Sequence, residues 1–136
     1  MKKIIQSKRG DGYIDVVVAV LVSMMLLILA LNIFSFFTLK QDMDYYAKEV
    51  LEVACVEGRT SGKINNRYFD ISDEMGFYPS YSWQTTYYNT TYQRVQLGDQ
   101  IKITMTYRTY LNGFGIFKIP VTLTVTQSGI SEKYWK

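Results

Sequence analysis

The sequence predicts an α+β protein: a long N-terminal helix, transmembrane and then amphipathic, a short second helix, and a small antiparallel sheet of three to four strands. Three observations carry this. No charged residue interrupts the chain between Asp15 and Lys40, roughly 24 residues where about 20 suffice for a helix to cross the hydrocarbon core. Beyond Lys40 the apolar residues recur at three- and four-residue intervals, the helical period. From Tyr78 onward the composition shifts to Tyr, Thr, Ser, Val and Ile in alternating order, which suits strands with one wet face.

Met1 to Gly10, MKKIIQSKRG, is a basic leader. Lys2, Lys3, Lys8 and Arg9 are four of the fifteen cationic residues, and without them the formal charge of +3 becomes slightly negative. A nucleic-acid partner therefore has no basic face to bind. The excess of Lys and Arg ahead of the apolar run puts the N-terminus in the cytoplasm and the C-terminal part outside. An ordinary signal peptide would have an apolar region of roughly 7–15 residues and a small-residue cleavage site. This run is longer and ends in Phe34, Phe36 and Phe37.

Residues 11–39 form the expected transmembrane helix and 40–58 its amphipathic continuation. Met43, Tyr46, Ala47, Val50, Val53 and Ala54 share the apolar stripe, and Gly58 is the stop. A single helix from about Tyr13 to Glu57 would be about 65–70 Å long. Residues 59–136 then make an extracytoplasmic α+β domain. Ile64, Tyr68, Ile71 and Met75 predict a second helix ended by Gly76. Asp70, Asp73 and Glu74 lack the ligand spacing of a calcium loop and read as a solvated helix face.

Ile101, Ile103, Met105 and Tyr107 alternate with polar residues, as do Phe117, Ile119, Val121, Leu123 and Val125. These are two half-buried strands, joined as a hairpin through Tyr110–Gly115, which contains Asn112-Gly113. Pro120 marks the last strand as an edge or as interrupted there. Tyr81 to Thr86 and Arg94 to Leu97 are the further strand candidates. The aromatic run of Tyr78, Tyr81, Trp83, Tyr87, Tyr88 and Tyr92 suits packing within the domain, with an interface as the other reading. Asn89-Thr90-Thr91 spells a glycosylation sequon.

The chain has no histidine, and Cys55 is its one cysteine. A Cys/His zinc site, a histidine triad and an internal disulfide are all excluded, and Cys55 reads as a small buried hydrophobe, with an intermolecular bridge or a reactive thiol as the other reading. With no phosphate loop or nucleophile elbow either, the expectation is a protein that is not an enzyme, with no cofactor, no metal and no small-molecule substrate.

The junction Lys8-Arg9-Gly10-Asp11-Gly12-Tyr13-Ile14-Asp15 resembles the processing site of type IV pilins and pseudopilins. There a short basic leader ends in glycine and the mature chain carries an acid at its fifth position. Cleavage after Gly10 would make Asp11 the first residue and Asp15 the fifth; cleavage after Gly12 would place Asp15 third. The family's usual glutamate is an aspartate here. The same residues also read as a helix cap with a first-turn acid that complements the dipole.

The order of leader, glycine, acid, apolar helix, amphipathic continuation and terminal hairpin resembles the tight-adherence (TadE-like) pseudopilins and related pilin-like proteins of secretion or conjugation systems. The resemblance implies a bacterial single-pass membrane protein, cut by a prepilin-type peptidase and assembling as a minor subunit with other pilin-like subunits. In that assembly Asp15 would meet the exposed amine of a neighbouring subunit. The tail from Ser128 to Lys136 also resembles the polar-aromatic ends of such proteins. The alternative is an uncleaved single-pass anchor in an envelope complex.

Overall fold

A computed structural model describes residues 9–113 and 117–136 of the chain. The leader residues 1–8 lie outside the described residues. The elements are α1 (Arg9–Glu57), α2 (Lys63–Met75), β1 (Ser80–Thr85), β2 (Gln100–Gly113) and β3 (Phe117–Ile130), so the fold is α+β, as the pattern predicts.

Helix α1 is continuous over 49 residues, about 73 Å at 1.5 Å per residue. Its backbone is already helical at Arg9, ahead of the expected start near Tyr13. Gly10 and Gly12 disfavour a helix by about 1 kcal/mol each, but a long helix already nucleated extends by another turn at modest cost. Gly58 ends it at φ 62°, with its N–H donating to Ala54 O at 2.9 Å. Only the left-handed conformation turns the chain here, and glycine adopts it without a Cβ penalty. Gly76 ends α2 in the same way, at φ 74°.

The sheet order is β1-β2-β3, antiparallel throughout. The ladder between β2 and β3 runs from Gln100 opposite Ile130 to Gly113 opposite Phe117. Asn112 and Gly113 therefore belong to the ladder and not to the turn. Extending the ladder gains backbone hydrogen bonds and sets Leu111 opposite Ile119. The rest of the expected connection, residues 114–116, lies outside the described residues. Strand β3 is an edge, consistent with Pro120.

Arg94 to Leu97 does not form a fourth strand. Arg94 makes only isolated bridges to Arg59 and Asn89, and Val95 N–H donates to Gly58 O at 2.7 Å. The corner after α1 has taken the backbone groups that a sheet would need.

The core lies between one sheet face and the second half of α1, with α2 alongside. Met43, Tyr46, Ala47, Val50 and Ala54 are fully buried, as the stripe predicts, and Leu51 and Cys55 join them. They meet Ile101, Ile103, Met105, Leu123 and Val125 from the sheet and Ile64, Tyr68 and Ile71 from α2. The Tyr46 hydroxyl donates to Tyr68 O at 2.6 Å and pairs with Ser72 Oγ, so its burial leaves no polar atom unsatisfied.

The inward face of β3 is buried for only part of its length. Val121 is half-buried, and Phe117 and Ile119 are 67% and 58% exposed. Alternation assigned all five apolar residues to the core. The hairpin instead outruns the globular domain, reaching past Met43 and down beside the apolar half of α1.

Candidate functional site

The predicted site lies at the start of α1. The backbone is helical at Gly10 and Asp11, and Asp15 is exposed one turn further on. The structure thus sets Asp11 and Asp15 on consecutive turns of one helix. The three ion pairs found among the described residues, Arg59–Glu57, Lys63–Glu57 and Arg67–Glu49, all lie in the domain.

What surrounds Asp15 is the uncovered half of α1. None of its most apolar stretch is buried against the rest of the chain. Val16, Val17, Leu21, Met24, Leu27 and Phe34 are among the large apolar side chains left more than half exposed. An apolar face this large on a water-facing helix would be unstable, so another apolar medium must cover it.

The few polar groups in this half are satisfied inside the helix. Ser23 Oγ donates to Ala19 O at 2.7 Å, Asn32 Nδ2 to Ile28 O at 2.9 Å, and Ser35 Oγ to Leu31 O at 3.0 Å. Thr38 Oγ1 follows the same pattern, to Phe34 O at 3.1 Å. Each side chain bonds the carbonyl one turn back and presents almost no unpaired donor to its surroundings. Among the described residues, one helix is long and apolar enough to cross a membrane.

The far end of α1 is closed by the C-terminal tail, to which sequence reasoning assigned no role. Glu132 N–H donates to Cys55 O at 2.9 Å, and Trp135 Nε1 donates to Gly58 O at 3.0 Å. Gln96 clasps the Trp135 backbone from both sides, accepting from its N–H at 2.7 Å and donating to its carbonyl at 2.9 Å. The Arg94 guanidinium sits 4.3 Å over the Trp135 ring. The Cys55 carbonyl, which the helix end leaves without a partner, is thus bonded by a residue some 80 positions away in sequence, and Trp135 adds a second donor to the Gly58 carbonyl that Val95 already bonds. Trp135 beside a polar terminus was the one available signal.

The aromatic run divides. Tyr81, Trp83 and Tyr87 pack against the core, and Tyr78, Tyr88 and Tyr92 are exposed. Asp70, Asp73 and Glu74 lie on the exposed face of α2, where Asp73 accepts from the Tyr78 hydroxyl. Cys55 is buried, and burial, followed by Glu132 and Glu52, pushes its thiol above its ordinary value. It therefore stays protonated and is a poor nucleophile.

Residues 20–136 match a family described as "Domain of unknown function (DUF4320)". The match takes in most of the apolar helix and the whole globular domain, and it begins downstream of Gly10, Asp11 and Asp15. No curated protein and no solved structure matches the chain. Since the matched region is well over half of the sequence, the chain belongs to the DUF4320 family.

Proposed function

We propose that this protein is a pilin-like minor subunit of a type IV or tight-adherence pilus, or of a secretion or conjugation apparatus, held in the bacterial cell membrane by α1 and assembling through it. The observation that supports this reading is the division of labour along one unbroken helix. Its first half is uncovered and self-satisfied in hydrogen bonds, and its second half forms the spine of the folded domain. A helix that served only to hold a domain near a membrane could end at the surface and restart after a linker. Rigid continuation instead fixes the height and rotation of the domain relative to whatever packs on the apolar half.

In this reading the leader stays cytoplasmic, the domain is outside, and a prepilin-type peptidase cuts between Gly10 and Asp11. The second reading, an uncleaved anchor in an envelope complex, draws on the helical backbone at Arg9, upstream of that bond. Mass analysis of the N-terminus of protein recovered from its native membrane separates the two. Asp11 as the first residue is the expected result, whereas an intact Met1 in the assembled protein leaves the anchor.

A further inference from the structure

The end of the β2–β3 hairpin has no role in that reading, and its apolar side chains are left uncovered, unlike Leu123 and Val125 nearer the domain. There the face of β3 turned to α1 buries Leu123 and Val125 in the core, and the opposite face carries Thr122, Thr124 and Thr126. At the hairpin end the exposed residues include Tyr110 at 56%, Phe117 at 67% and Ile119 at 58%. Leu111 and Ile119 line an open groove whose other wall is Ile28, Leu29, Asn32 and Ile33 of α1. The two elements descend side by side: Gly129 lies against Leu51 and Cys55, and ten residues earlier Ile119 faces Ile28–Ile33. Ten strand residues and some 20 helix residues both span about 30 Å.

The level of this groove decides what can fill it. The first charge of α1 beyond the apolar run is Lys40, and Ile33 lies about 10 Å further toward the N-terminus along the axis. With Asp15 at one boundary of a hydrocarbon core about 30 Å thick, the other boundary falls near residue 35. The groove then lies about 3–10 Å inside it, a depth similar to the 5–10 Å to which interfacial amphipathic segments sink.

We propose that the hairpin end is a second membrane-inserting element, dipping into the leaflet from which α1 emerges, with lipid filling the groove between Leu111, Ile119 and the helix. This rests on the reading that α1 spans the membrane, and it adds a contact which that reading does not require. Lipid is the occupant because whatever covers α1 at Ile28–Ile33 borders the groove directly. Lys118, between Phe117 and Ile119 in sequence, has a stem long enough to carry its ammonium back to the phosphates. The unpaired edge of β3 sets the depth limit. Its backbone groups can find water and headgroups at the boundary but not in the hydrocarbon centre, and Pro120 at this height has no N–H to satisfy.

The test uses the full chain, in a Cys55→Ala background, reconstituted in vesicles of phosphatidylcholine and phosphatidylglycerol. A polarity-sensitive fluorophore is attached after Ile119→Cys, Phe117→Cys, Thr124→Cys or Leu29→Cys, one at a time. Lipids carry a nitroxide quencher either near the headgroup or near the chain end. Labels at 119 and 117 are expected to emit to the blue and to lose most of their emission to the shallow quencher, while the label at 124 stays in water. The label at 29 reports on the span and should be quenched by lipid whatever the hairpin does. A quenched label at 29 with water-exposed labels at 117 and 119 overturns the proposal alone. An unquenched label at 29 overturns the span and the proposal together. Labels at 117 and 119 shielded from water and from both quenchers would mean that protein, such as a second copy of the chain, fills the groove, and would also overturn it.

Discussion

At the scale of single residues, two glycines hold the domain on α1. A Cβ at Gly58 would come within 2.3 Å of Lys133 Cβ and 2.9 Å of Trp135 Nε1, at a φ of +62° that side chains rarely adopt. Gly58→Ala should therefore lose both the turn and the tail contact, costing about 2 kcal/mol or more. At Gly129 the φ is unremarkable, but a Cβ would meet Cys55 Sγ at 2.6 Å. Gly129→Ala should be rescued in part by Cys55→Ala, whereas Gly58→Ala should not. Chemical denaturation of the three single and two double variants in detergent checks this coupling.

Two buried acids make a pH prediction at the same scale. Burial pushes the Cys55 thiol above 9.0 and the Tyr46 phenol well above 10.0, the latter against the opposing bond from Ser72. Both hold their protons more tightly in the folded state, so the stability they contribute is complete below the unfolded values. It is lost as pH rises from about 9, through the thiol first and then the phenol. Cys55→Ala should remove the earlier part of the alkaline loss and leave the later part, as a melting series from pH 7 to 11 would show.

At the scale of elements, Leu123 is 5% exposed in the core, and its neighbours Thr122 and Thr124 face solvent. Leu123→Asp should cost several kcal/mol and unfold a domain with little stability to spare, while Thr122→Asp should change stability by less than about 1 kcal/mol. Protease resistance of residues 59–136 reports the difference, and equal effects would mean that the outer face is also covered. Periodicity made this element legible because the face in contact with α1 obeys a period of two. The same reasoning overreached at Phe117 and Ile119, since alternation identifies a face and cannot say how far along the strand its partner extends. Met43, Tyr46, Val50 and Gly58 were legible for the same local reason, a three-to-four spacing with a glycine stop. The Gln96–Trp135 clasp and the lost strand at Arg94 were not. Both depend on contacts between residues far apart in sequence, and no local pattern encodes them.

At the scale of the molecule, α1 is one lever with a lipid-compatible half and a domain-bearing half, so an interaction at its start is transmitted to the position of the whole domain. Asp15 is exposed and one turn from the Asp11 amine that cleavage would release. Within one subunit such a pair lies where water and headgroups reach it, and an exposed pair contributes little. In the assembly we propose, with helices packed at an axial offset, the amine of one subunit would meet Asp15 of the next in drier surroundings. There the attraction is stronger and an unpaired carboxylate is costly. Asp15→Asn should therefore leave membrane insertion and the fold of residues 59–136 unchanged while sharply reducing crosslinks to neighbouring subunits. Asp15→Glu, which keeps the charge and restores the acid usual in pilins, should assemble. Crosslinking in the native host, with membrane fractionation alongside, gives the answer: assembly of Asp15→Asn at the wild-type level removes the register role, and failure of that variant to insert moves the defect upstream of assembly.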